Sequence, residues 1–109
     1  MKIVFLPEAL NYFNELSTIL YENNYFGFED SALKYVDDLF EEIKTTIHCQ
    51  VKKPAPPYFD RFGKNMLYSA FRKNKTTEWY VFFNIYQDNE DITLVIRYIS
   101  NNHMIAQFL

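Results

Sequence analysis

The sequence predicts an α+β domain in which two N-terminal helices pack on a mainly antiparallel sheet, in the order β-α-α-β-β-β. Three observations carry this reading. Trp79 to Tyr86 (WYVFFNIY) and Ile92 to Ser100 (ITLVIRYIS) are dense in β-branched and aromatic residues, and the five polar residues QDNED between them suit a hairpin. Upstream, Met66 to Arg72 (MLYSAFR) alternates Leu67, Ser69 and Phe71 against Met66, Tyr68, Ala70 and Arg72, and the loop KNKTTE returns it to Trp79 as a third meander strand. In the first half of the chain, by contrast, apolar residues recur at helical spacing.

Taken in order, Lys2 to Leu6 (KIVFL) reads as a strand stopped by Pro7, which suits a first helical turn because its missing N–H would have no partner there. Ala9, Phe13, Leu16 and Leu20 then form a helical stripe widened by Tyr12 and Ile19, and the helix is expected to fade near Asn23 and Asn24. The segment YFGF makes the turn to a second helix, capped by Asp30 or Ser31 and acidic at its start, as a helix dipole prefers. Its buried stripe is Ala32, Val36, Leu39, Ile43 and Ile47, flanked by Leu33 and Phe40. Asp37, Asp38, Glu41 and Glu42 fall on or near the opposite side; paired carboxylates can hold metals or exchange protons, but a solvated helix face is the better reading here.

From Val51 the character changes. Pro54, Pro56 and Pro57 exclude helix and central strand, leaving a connector that Tyr58, Phe59 and Phe62 pin to the body and that Gly63 bends into the sheet. In the meander, Val81, Phe83 and Ile85 share one face, opposite Tyr80, Phe82, Asn84 and Tyr86, and offer the helix stripes a common apolar surface. Ile92 to Ser100 is apolar on both faces, as a central strand should be. The N-terminal strand is expected to extend the sheet beside one of the meander strands.

A chain of 109 residues that is 49% hydrophobic has material for one core, hence one domain over 1–109. Eleven Phe and nine Tyr are many for that length, so either the core is ring-rich or some rings stay at the surface for a partner. The single Cys49 has no internal disulfide partner, which argues for a reducing compartment. No signal-like segment is present, and no apolar run reaches the roughly 20 residues of a membrane helix. The expectation is a cytoplasmic protein without a membrane partner.

Net charge is −3, but residues 1–50 hold three Lys against nine acids and residues 51–109 hold eight Lys or Arg against five. Within Lys52 to Lys75, seven cations face only Asp60, a local polyanion signal on an acidic protein. With two glycines there is no phosphate-cradling loop, and one Cys with two separated His gives no zinc spacing, so no metal or cofactor is implied. Cys49 and His48 are neighbours in sequence without an orienting acid. What remains is the basic end of the sheet. RNA can be cut without metal if a base activates the 2′-hydroxyl, cations stabilise the crowded phosphate and an acid protonates the leaving oxygen. Meander topology brings Arg72, Tyr80 and His103 to one end as a candidate catalytic set, with Asp88, Glu90 and Asp91 at the other.

The opening KIVFLPEAL, the central WYVFFNIY and the closing ITLVIRYISNNHMIAQFL together resemble the RelE/ParE superfamily of toxins from bacterial type II toxin–antitoxin modules. They match its first strand running into a helix, its central strand, and its last strand with a short tail. The resemblance spans nearly the whole chain and implies a RelE/ParE-like fold, a cognate antitoxin as partner, and either of two activities. One is metal-independent endoribonuclease action on translated mRNA, with RNA or the ribosome as target; the other is non-catalytic inhibition of DNA gyrase through the helical hairpin. A plain interaction module is the third reading. In the ribonuclease reading, Arg72 stabilises phosphate, His103 transfers protons, Tyr80 is a secondary acid, base or stacking group, and Lys53, Lys64 and Lys73 steer the RNA backbone. The sequence departs from the ribonuclease members, which often carry Arg where Tyr80 stands and Arg followed by Tyr where Asn102, His103 and Phe108 close the chain.

Overall fold

Lys2–Phe5 (β1) lies parallel to Asp91–Asn101 (β5), and everything else in the sheet is antiparallel: Glu78–Asp88 (β4) pairs with β5, Leu67–Arg72 (β3) with β4, and the two-residue Lys53–Pro54 (β2) with β3. The spatial order is β1-β5-β4-β3-β2. The computed structural model describes residues 1–23 and 26–109. The expected fading of the first helix at Asn24, and Tyr25 of the YFGF turn, lie outside the described residues. The fold is α+β with a five-stranded mixed sheet, and its order differs from the expected β-α-α-β-β-β at two places. The proline connector contributes β2, tolerable because it is an edge strand where proline breaks no ladder on its outer side. A third helix, Asn102–Ile105 (α3), follows β5, capped by the Asn101 side chain, which accepts the Met104 N–H at 3.2 Å.

Pro7–Glu22 (α1) and Glu29–Thr46 (α2) cover one face of the sheet. Ala9, Phe13, Leu16 and Leu20 of α1 and Val36, Leu39, Ile43 and Ile47 from α2 and the turn beyond it bury against Phe71, Trp79, Val81, Phe83, Leu94, Ile96 and Ile99. Three expected core residues are instead outside. Ile19 and Leu33 fall on the outer faces of their helices, and Ile85 is 43% exposed although its cross-strand partner Leu94 is buried in the helix-side core. The N-cap of α2 is Phe28, without a side-chain cap, so neither Asp30 nor Ser31 has that role. Glu29 and Asp30 sit in its first turn, where their charge favours the dipole. At the other end Lys52 donates to the carbonyls of Ile47, His48 and Gln50, neutralising the turn in which the helical segment stops. The β4–β5 turn is tighter than QDNED: only Asn89 and Glu90 separate the strands, with Asn89 in the left-handed region at φ 57°.

The opposite sheet face has its own smaller core. Phe59 stacks on Phe82 at 4.5 Å, Tyr58 on Phe108 at 3.8 Å and Phe62 on Tyr98 at 3.8 Å, so the connector is pinned by the three expected rings. The connector includes one 3₁₀ helix, Pro57–Arg61, rather than an α-helix. Gly63 passes so close to β5 that a Cβ there would lie 2.6 Å from Arg97 Cδ, which is why glycine stands at this bend.

Strict alternation fails in β5. The pairs Phe82↔Tyr98 and Phe83↔Ile96 leave Arg97 as an extra residue, a β-bulge. As a result Leu94, Ile96 and Ile99 face the helices, while Arg97 and Tyr98, consecutive in sequence, contact residues of the other face. Simple alternation would have turned Ile99 out of the helix-side core.

Candidate functional site

The β3–β4 register sets Arg72 opposite Glu78 and Ala70 opposite Tyr80, on the face away from the helices. Because Ala70 is small, no side chain fills the space above it, and a depression of about 400 Å³ opens there, lined among others by Gln50, Lys53, Tyr68, Glu78 and Tyr80. Tyr68 walls it in, edge-on to Tyr80 with ring centres 6.0 Å apart.

Glu78 joins two groups. Its Oε2 accepts the Tyr80 hydroxyl at 3.1 Å, and its Oε1 lies 3.7 Å from Arg72 Nε. The Arg72 side chain is 67% exposed, so this ion pair is worth at most about 1 kcal/mol and the guanidinium is free to turn to an incoming phosphate. Burial, followed by the bond to Glu78 and that carboxylate's charge, raises the Tyr80 pKa. The phenol therefore stays protonated at neutral pH, where it is a hydrogen-bond donor and a proton source, not a base.

The expected residues do not form one constellation. Arg72 and Tyr80 meet at Glu78; Glu78 and Tyr80, but not Arg72, line the depression that Lys53 borders from β2. His103 shares the same end of the sheet but projects to the helix side. Its Nε2 is 3.3 Å from Thr77 Oγ1, and it lines a separate depression of about 210 Å³ with Tyr35, Asn74 and Trp79. Lys73 also turns to the helix side, its ammonium 3.3 Å from the Glu42 carboxylate, which is thereby drawn partly out of solvent. Lys64 lies toward the far end of β3, where its carbonyl accepts the Asn84 amide at 3.1 Å. Glu78 and Tyr68 are the residues that sequence reasoning passed over. Glu78 closes the loop KNKTTE, and only its pairing with Arg72 gives it a chemical context.

Among the described residues no group of three or more His, Cys, Asp or Glu is placed to hold a metal ion, and no helix is long and apolar enough to cross a membrane. Comparison with known proteins finds no matching family model, curated protein or solved structure.

Proposed function

We propose that this protein is the toxin of a type II toxin–antitoxin module and that it cleaves RNA, specifically translated messages, without a metal. The observation that carries the reading is the Arg72–Glu78–Tyr80 cluster, of which Glu78 and Tyr80 line an open, lysine-bordered depression. It supplies the parts that ribose-assisted cleavage needs. Glu78 takes the proton of a 2′-hydroxyl, whose oxygen attacks the adjacent phosphorus and displaces the 5′-oxygen of the next nucleotide. Arg72 and Lys53 stabilise the charge gathering on the phosphate. The leaving oxygen takes its proton from Tyr80, and the protonated Glu78 restores that proton through the bond between them, so no proton is gained or lost. The partner in this reading is a cognate antitoxin that covers the toxin with a segment ordered on binding.

The position of His103, away from Arg72 and Tyr80, favours a second reading, inhibition of gyrase without chemistry. In that reading the outer faces of α1 and α2, where Leu10, Tyr21 and Leu33 are exposed, meet the target. Induction in cells separates the two. Message decay with mapped cut sites, lost in Glu78→Gln and Arg72→Ala proteins that still fold, supports cleavage. Intact messages with gyrase-dependent DNA damage support the second reading and reject the first.

A further inference from the structure

We propose that the depression beside His103, on the helix side of the sheet end, is a binding site for a small aromatic monocarboxylate. Its character follows from the hydrogen-bonding capacity that the fold has already used. Asn74 Oδ1 accepts the Thr76 N–H at 2.9 Å and the Thr76 hydroxyl at 3.0 Å, and Asn101 Oδ1 accepts the Met104 N–H at 3.2 Å. A backbone N–H can only donate, so both amides are fixed in orientation, and each keeps its Nδ2 without a partner among the described residues. Tyr35 is constrained in the same way. The Trp79 indole N–H donates to its hydroxyl oxygen at 2.8 Å, which leaves the Tyr35 O–H as a donor; burial raises the Tyr35 pKa and keeps that proton in place. His103 Nε2 lies 3.3 Å from Thr77 Oγ1, and when the hydroxyl donates to it Nδ1 carries the ring proton as a further donor.

Tyr35, Asn74, Asn101 and His103 all line this depression of about 210 Å³, and among the described residues no carboxylate does. Donors left without acceptors call for a group that only accepts, and an ionised carboxylate is such a group. The rest of the wall chooses the body that carries it. Phe26, Tyr35 and Trp79 follow one another with ring centres 5.2 and 6.4 Å apart, and Leu20 adds an aliphatic side. That lining and that volume suit one aromatic ring. The surrounding field tolerates a single negative charge. Glu42, whose charge is felt at Tyr35, is paired with Lys73 Nζ at 3.3 Å, and the same ammonium stands 5.7 Å from the Tyr35 ring centre. The depression lies across the sheet from the one that holds Glu78 and Tyr80, so carboxylate binding and RNA cleavage can fail separately.

The test uses the full chain with benzoate as the probe, and with benzamide, a neutral isostere bearing an amide N–H₂, and acetate, which lacks the ring, as controls. Trp79 is the only tryptophan, so its fluorescence and its indole N–H resonance report on this site alone. The expected result is a saturable change in both with benzoate, together with shifts of the Asn74 and Asn101 side-chain amides. Benzamide and acetate should each bind about tenfold more weakly or worse. Asn74→Asp and Asn101→Asp each keep the oxygen that accepts Thr76 or Met104 but replace the donating N–H₂ by a charged acceptor. Each should weaken benzoate by about tenfold or more at an unchanged urea midpoint. The proposal is overturned if benzoate gives no saturable change, if benzamide or acetate binds as well, or if both Asp variants keep the wild-type affinity. It is equally overturned if benzoate shifts resonances around Arg61 and Arg97 and leaves the Trp79 indole unmoved.

Discussion

Asn102 grips Glu78 by its backbone: the Asn102 Oδ1 accepts the Glu78 N–H at 3.0 Å, while its Nδ2 donates to the Thr76 carbonyl at 2.9 Å. One side chain thus ties the start of α3 to the turn that enters β4, the point from which Glu78 and Tyr80 project. Asn102→Ala removes both bonds and leaves the Glu78 amide without this acceptor. The expected cost is about 1–3 kcal/mol, seen as a lower urea midpoint at unchanged m-value, with faster hydrogen exchange at the Glu78 amide. A loss of stability without that local change in exchange would argue against the clasp.

The second sheet face should carry a full share of the stability. Phe82 is completely buried there, between the rings of Phe59, Tyr68 and Tyr98, so Phe82→Ala is expected to cost about 3–5 kcal/mol. Ile85→Ala, three residues along the same strand but 43% exposed, should cost about 1 kcal/mol or less. Chemical denaturation of the two variants side by side reads the difference; equal costs would mean that the connector does not seal this face.

How far the sequence could be read follows from these residues. Val81 and Phe83 were legible as helix-facing because alternation holds through that part of β4, and helical spacing identified Phe13, Leu16, Val36 and Leu39 as their partners. The bulge was not legible. Arg97 inside an apolar run signals an irregularity, but nothing local says that β5 carries the extra residue, and one residue of slip exchanges the faces of Ile99 and Tyr98. Glu78 was hidden because a polar residue ending a polar loop has no context until its cross-strand partner is known. His103 was placed at the correct end of the sheet by topology. Which side it meets is set by the turn from β5 into the four-residue α3, beyond the reach of strand alternation.

Alkali should test the packing of Tyr12. Burial, with Tyr98 nearby as the lesser cause, pushes its phenol from the usual 10.0 up to about 12. The folded protein then holds this proton more tightly than the unfolded chain does. The stabilisation is fully present below pH 10 and disappears as pH rises through about 12. A shift of that size corresponds to about 2–3 kcal/mol. Tyr35 and Tyr80 are also raised, so the informative quantity is the difference from Tyr12→Phe, in which those two remain. Urea midpoints across this range should fall more steeply for the wild type than for Tyr12→Phe; parallel curves would mean that Tyr12 is better hydrated than its half-buried position against the helix-side core implies.

Salt dependence tests the proposed RNA contact and should distinguish cations open to a phosphate from those already engaged. Each phosphate neutralised on a single strand contributes about −0.7 to the slope of log K against log salt. Glu78→Gln protein, expected to bind without cutting, provides a stable complex with single-stranded RNA in which the slope can be measured. In that background Lys53→Ala and Arg72→Ala should each flatten the slope by about one phosphate's worth, since Lys53 lines the depression above Ala70 and the exposed Arg72 guanidinium lies beside Glu78, which also lines it. Lys73→Ala should leave it nearly unchanged, because its ammonium is committed to Glu42 on the helix side, and so should Lys64→Ala, because that residue lies toward the opposite end of β3. Should Lys64 and Lys73 carry the salt dependence instead, the RNA path would run off the face that holds Glu78, and cleavage by that carboxylate would be untenable.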